Sequence, residues 1–425
     1  MVYLILNSIL YIILFSYIWK KNGLSPGSIL VGLWTIIAVC GVLYYPTDPY
    51  FIGHITLWPL LYLFITFFLF ARYFFNNKIK KQIRVFAFSR SKLIDSICII
   101  YVICVVINIL SDELSLQQIA FNNVIENASE AYKDHFTNEK EYASVWLQLT
   151  HSYEYYVWYI ALIAVFNSLC QGRRLFGISL LFVVFGKRMM DSVVLGERTF
   201  IVVNVFILLA LYSMYYNYIE KETRKIIYYI AAVLGTFIGL YLLAVTISRF
   251  DNSDYGVGGS FMHYLGTPML RFDYGVVDSI RRTFGGAATF NGVLERLGFP
   301  PIVDIDFRAS ADVLLGTHFE TGFITFIGSL YVDFGFFLTI ILALFWPTII
   351  WKLIFFNGKL SLPGMYIFLF YFNRLSRGAF TTGYGAGILY YQAFAFYVIL
   401  WLLVLLTSKR KVRYRSYDIN CNANI

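Results

Sequence analysis

The chain has 425 residues, 59% of them hydrophobic and only 14% charged, with a mean hydropathy of +0.66. Repeated apolar runs of about 20 residues between short charged loops exclude a single soluble core and describe an all-α polytopic membrane protein. The net charge of +9 needs no nucleic acid, because the basic residues gather in short loops between those runs.

In chain order, the opening "MVYLILNSILYIILFSYIWKK" lacks a basic start and a small-residue cleavage site, so it reads as a retained first helix. Spanning helices are predicted near 2–19, 27–45, 55–75, 93–110, 146–169, 175–195, 198–217, 226–248, 334–351, 360–376 and 386–407, about 11 in all. Loops 20–25, 76–92, 170–174, 218–225, 352–359 and the tail from 408 fall on one side and hold 20 of the 34 Lys and Arg. The two long loops of the other side, 111–145 and 249–321, hold 2 and 6. This bias predicts a multi-pass protein with its N-terminus outside and its C-terminus cytoplasmic. The basic tail, 408–425, contains "SKRKVRYR", which suits anionic lipid headgroups. Aromatic residues make up 20% of the chain, enough to furnish belts at both membrane surfaces. No internal repeat or low-complexity linker divides residues 1–425, which read as one integral membrane domain. The five cysteines, Cys40, Cys98, Cys104, Cys170 and Cys421, show no metal-ligand spacing.

Chemistry-bearing residues are unevenly placed. In the run 146–169, His151 and Glu154 stand three apart on one helical face. In "GKRMMDSVVLGERTF", Lys187, Arg188, Asp191, Glu197 and Arg198 interrupt an apolar stretch. Ionisable groups in a membrane face a bundle interior or a wet cavity; the competing reading is a shorter helix with these charges at the interface. Arg198, which opens the next helix, is the favoured functional residue of this group. The loop 249–321 carries Arg249, Arg271, Arg281, Arg282, Arg296 and Arg308 without a lysine, and Arg374 and Arg377 follow on the same side. Guanidinium forks bind phosphate or carboxylate bidentately and stay charged when partly buried, so an arginine-only face implies a recessed anion site. Asp251, Asp254, Asp273 and Asp278 are the local carboxylates that would pair with some of them. His318 has Glu320 beside it and an amphipathic segment after it.

The nearly uncharged run from Gly322 to Trp351 would make a helix of roughly 45 Å, against roughly 30 Å of hydrocarbon core. Phe323, Phe326, Ile327, Leu330 and Phe334 line one face of its first part, with Thr321, Thr325, Gly328, Ser329 and Val332 on the other. That pattern predicts an interfacial helix closing a large outer loop, 249–333, with Asp333 and Gly335 marking the bend into the true span.

"FITFIGSLYVDFG", "LGERTFIVVNVFILLALYS", "ISRF" and "YLGTPMLRF", set in this layout, resemble the O-antigen polymerase family of oligosaccharide repeat-unit polymerases. The resemblance implies a GT-C-like, metal-independent glycosyltransferase of the bacterial inner membrane, with its large loop on the periplasmic side between helices 8 and 9. Its substrates would be undecaprenyl-diphosphate-linked oligosaccharides, joined into O-antigen, capsule or a related surface polysaccharide. Its other partners would be membrane lipids and a chain-length regulator. On this reading Arg198, Arg249 and Arg271 bind the diphosphate, with Arg281, Arg282 and Arg377 in the second rank. Tyr264 and Asp333 line the substrate site, and His318 or Glu320 is the base. Arg281 and Gly292 have the eleven-residue Arg-to-Gly spacing of some relatives, whereas loop 111–145 contains no arginine, and Gly322 stands where relatives often have Asn. The alternatives are an O-antigen ligase, whose His-Asn pair is missing here, and a transporter that flips lipid-linked glycans.

Overall fold

The structure is a computed structural model that describes residues 1–48, 51–76, 78–88, 92–111, 145–194, 198–250, 256–278, 280, 282–300, 324–379 and 387–408. Among these residues every regular element is helical: α1 (Val2–Asn22), α2 (Pro26–Tyr44), α3 (Leu57–Ala71), α4 (Lys78–Ala87), α5 (Lys92–Ser111), α6 (Val145–Cys170) and α7 (Arg174–Val194). There follow α8 (Arg198–Tyr215), α9 (Lys221–Phe250), α10 (Gly256–Arg271), α11 (Ala287–Arg296), α12 (Phe326–Ile354), α13 (Leu362–Arg377) and α14 (Gly387–Ser408). Seven are long and apolar enough to cross a membrane: α1, α2, α3, α5, α8, α9 and α12. Helices α6, α7, α13 and α14 stand over the other predicted segments but fall short of that standard in length or apolarity.

The short basic connections meet at one end of the bundle. Asn22 donates to the Phe75 carbonyl at 3.0 Å, and Gln171 to that of Ala87 at 3.0 Å. Gln82 bonds both Gly358 and Leu360 at 2.7 Å, while Arg173 pairs with Asp95 at 2.9 Å and Arg174 with Glu220. Helix α4 lies at this basic end and was not expected from the sequence, where it is part of a loop. Ile79, Ile83 and Phe86 go into the bundle while Lys81 and Arg84 face out, so one side is greasy and the other charged.

The interior is built on aromatic rings. Trp34 of α2 stacks on Phe67 of α3 at 4.3 Å, and Tyr11 of α1 closes on the same group. Helix α10 lies along α2, so part of the predicted outer loop belongs to the bundle. Helix α9 stands apart, with Phe237, Leu240 and Leu243 more than half exposed. Between it and α7 runs an apolar cavity of ≈ 770 Å³, lined by Phe182, Phe185, Gly186, Met189 and residues of α9.

The predicted interfacial helix is corrected by α12. Its first limb does not lie flat: Phe326 packs on Phe70 and Trp34, well inside the bundle, whereas Phe336 packs on Tyr62 and Trp58. The limb therefore runs antiparallel to α3 and rises through the bundle. At Gly335 the backbone takes φ 77° and ψ −176°, a conformation open essentially to glycine alone, and the chain turns back. Thr339 Oγ1 reaches the Leu330 carbonyl at 3.0 Å; nine residues along a straight helix these groups would be about 13 Å apart. The second limb then descends beside α3. Pro347 has no N–H for the Ala343 carbonyl, and Arg72, just after α3, takes its place at 2.9 Å. The expected bend at Gly335 is present, and it makes a helical hairpin.

Candidate functional site

Two broken ends meet inside the bundle. Helix α13 starts at the basic end, where Ser361 caps it, and its 16 residues span about 24 Å, short of a full crossing. It stops at Gly378, whose carbonyl accepts the Phe326 N–H at 2.7 Å. The first donor of α12 and a last acceptor of α13 thus satisfy each other, as backbone away from water must be. A Cβ at 378 would lie 2.7 Å from the Phe326 ring, so only glycine permits the approach.

Beside this junction lies a cluster of buried charge. Glu154 is nine residues into α6, which runs toward the basic end, while Lys187 is thirteen into α7 and Arg374 twelve into α13, which both run away from it, or about 14, 20 and 18 Å along their helices. The three groups consequently share a level deep in the bundle. Glu154 accepts from Asn108 of α5 at 2.7 Å and has the Lys187 ammonium at 3.9 Å. Thr150 donates to the same Asn108 at 2.6 Å. Lys187 also pairs with Asp191, one turn along α7. Arg188 lies over the rings of Tyr155 and Trp158, at 5.5 and 5.2 Å, and Arg374 over Phe370 at 5.2 Å. Tyr159, on the same face of α6, accepts from Asn373 and lies close enough to both Arg188 and Arg374 to feel their charge. Tyr156 donates to Gln392 of α14. Lys187 and Arg188 are 7% and 8% exposed, so both side chains are held inside the bundle rather than reaching out of it. Burying an ion costs several kcal/mol, and here Lys187 is offset by Glu154 and Asp191, while Arg374 is half-buried.

The other predicted residues are distributed as follows. Arg198 is the first residue of α8 and Arg249 lies in the last turn of α9; for both only the backbone is described. Arg271 ends α10 and is half-buried, Arg377 ends α13 and is half-buried, and Arg282 is exposed. Tyr264 is half-buried in α10 against the core. Arg281, His318 and Glu320 lie outside the described residues. Asp333 is fully buried and serves the fold, since its carboxylate accepts from Ala288 N at 3.1 Å, Thr289 N at 2.8 Å and Thr289 Oγ1 at 2.6 Å. It thereby caps the N-terminus of α11 from another segment.

Sequence reasoning brought out Lys187, Arg188, Asp191 and Glu154 but missed Asn108, Tyr155, Tyr156, Tyr159, Asn373 and Gln392. The spacing of Glu154 and Tyr155, Tyr156 and Tyr159 along one helix was the available signal, diluted by the abundance of tyrosine, 34 in the chain. No family model, characterised protein or solved structure matches the chain.

Proposed function

We propose that this protein is a polytopic glycosyltransferase, with about 11 spans and a GT-C-like architecture, that polymerises lipid-diphosphate-linked oligosaccharide repeat units at the end of the bundle opposite the basic loops. In a bacterial inner membrane that end would be periplasmic. The observation that supports it is the cluster of buried Lys187 and Arg188 with half-buried Arg374 among tyrosines, on a chain whose lysine-free loop carries six arginines. Departure of a lipid diphosphate concentrates negative charge on its oxygens, and preorganised guanidinium groups in a poorly hydrated site stabilise that charge. Arg198, Arg249 and Arg271 are the groups assigned to the diphosphate. Attack by a sugar hydroxyl also needs a base within hydrogen-bond reach.

The broken helices α12 and α13 favour a second reading, transport, because carriers place interrupted helices at mid-membrane. Purified protein in vesicles, supplied with a lipid-linked repeat unit, distinguishes the two. Polymerisation gives a ladder of longer glycans on the lipid, whereas transport gives movement of unaltered repeats. Arg198→Lys and Arg249→Lys should abolish the ladder while leaving membrane insertion intact, since an ammonium cannot reproduce the bidentate fork. Normal long polymer from both variants would sink their assignment.

A further inference from the structure

We infer that the apolar cavity between α7 and α9 seats the hydrocarbon tail of the lipid diphosphate, which enters it sideways from the bilayer. The inference rests on the lipid-diphosphate reading above and adds the place where the lipid is held. Arg174, the first residue of α7, pairs with Glu220, which directly precedes α9, so the two helices start together at the basic end. Both then run along the cavity. Leu181 and Met189 stand about 10 and 22 Å up α7, and Ile230 and Ile247 about 14 and 39 Å up α9. The cavity thus follows the hydrocarbon level for most of its roughly 30 Å. Phe237, Leu240 and Leu243 line it and are nevertheless more than half exposed, so it opens to the lipid side of the bundle. Among the described residues that line it, none is charged.

A space of ≈ 770 Å³ left empty would deprive its walls of dispersion contacts, and walls so poor in polar groups give water no partners. Its occupant is therefore hydrocarbon. The head of that lipid is anionic, because both walls lead to arginine at the far end. Arg249 comes two residues after Ile247, in the last turn of α9, and Arg198 opens α8 four residues after α7 stops at Val194. Arg249 stands about 42 Å along α9, at the level of headgroups rather than of hydrocarbon. A tail that moves from the bilayer into the cavity exchanges one apolar surrounding for another and gains little. Affinity consequently resides in the diphosphate, while the cavity fixes the direction of the tail and so the place where the diphosphate arrives. Helix α7 is the partition: Phe182, Gly186 and Met189 face the cavity, and Lys187 on the other side meets Glu154 of α6. Gly186 is the thin point of that wall, since a Cβ there would have nothing within 4 Å.

The test compares the wild type, Gly186→Leu and Gly239→Leu in vesicles, with repeat units carried on a full-length polyprenyl diphosphate or on a two-isoprene analogue. Gly239 of α9 is equally open but lies outside the cavity lining, and leucine favours a helix at either position. Gly186→Leu should raise KM for the long-tailed donor about tenfold or more at unchanged kcat, and leave the short-tailed donor unaffected. Gly239→Leu should match the wild type on both. Equal kinetics of Gly186→Leu and the wild type on the long-tailed donor overturn the assignment. A polyprenyl diphosphate with a photoreactive tail decides independently of folding in the variants. It should label α7 and α9 of the wild type and be displaced by unlabelled polyprenyl diphosphate, but not by phosphatidylglycerol. Equal displacement by phosphatidylglycerol would mean that bulk lipid fills the cavity, and would overturn the assignment. Selective labelling of both helices in a wild type that elongates neither donor upholds the cavity and overturns the polymerase reading.

Discussion

Gly335 turns α12 back on itself at φ 77° and ψ −176°, and a Cβ there would also meet Thr283 at 3.2 Å. Gly335→Ala should therefore cost about 1–3 kcal/mol, seen as a lower unfolding temperature in detergent. An unchanged melt would mean that the hairpin turn is not strained. A second single-residue expectation concerns Asp273, whose carboxylate accepts from Thr56 N at 2.6 Å just before α3. Burial pushes its pKa up from the usual 3.8 to about 6, against the two Thr56 hydrogen bonds, which pull it down. A raised carboxylate pKa means that folding favours the protonated form. The contribution is fully present below 3.8 and is lost as pH rises through about 6. Unfolding temperature should fall over that window, and Asp273→Asn should flatten the dependence. The gathering of cationic and acidic groups near 187–198 was legible in the sequence because charge inside an apolar run is conspicuous. The hydrogen bond tying Tyr44 to His263 was not legible, because 219 residues separate its ends and only packing of α10 on α2 joins them.

Helices α6 and α7 are joined across the bundle by Lys187 and Glu154, whose side chains are 7% and 4% exposed. Removing one partner leaves the other charge buried, so Lys187→Met should destabilise by about 3–5 kcal/mol. The pair Lys187→Met with Glu154→Gln should cost less than the sum of the single changes when unfolding is measured in one detergent. Additivity within about 0.5 kcal/mol would show that the two do not interact. Element positions were legible because apolar runs near 20 residues leave little choice of structure, and helices stand over each predicted segment. Orientation within the bundle was harder to read. The periodicity of Phe326, Ile327, Leu330 and Phe334 is that of any helix with a greasy and a small-residue face. Such a helix satisfies the pattern equally by lying on a surface or by standing beside α3, and the small face formed by Gly328, Ser329 and Val332 is in fact buried.

Across the whole molecule, the loops rich in lysine and arginine share one end, and this was the most legible feature of the sequence, since charge bias acts on every crossing at once. Helix α1 starts at the opposite end, and α14 runs toward the basic one, where Trp401 meets Phe356. Tags fused to the two termini should accordingly be reached by impermeant reagents from opposite sides of the membrane; labelling of both from the same side would contradict this arrangement. The hairpin in α12 bears on the same question through parity. The first limb begins inside the bundle at Phe326 and ends at the Gly335 turn, so it is no crossing by itself, while the limb after Gly335 adds one. The 29-residue helix therefore counts once, and the end at which α13 starts is independent of how deeply the first limb is buried. A change in the length of that limb leaves α13 starting at the same end of the bundle.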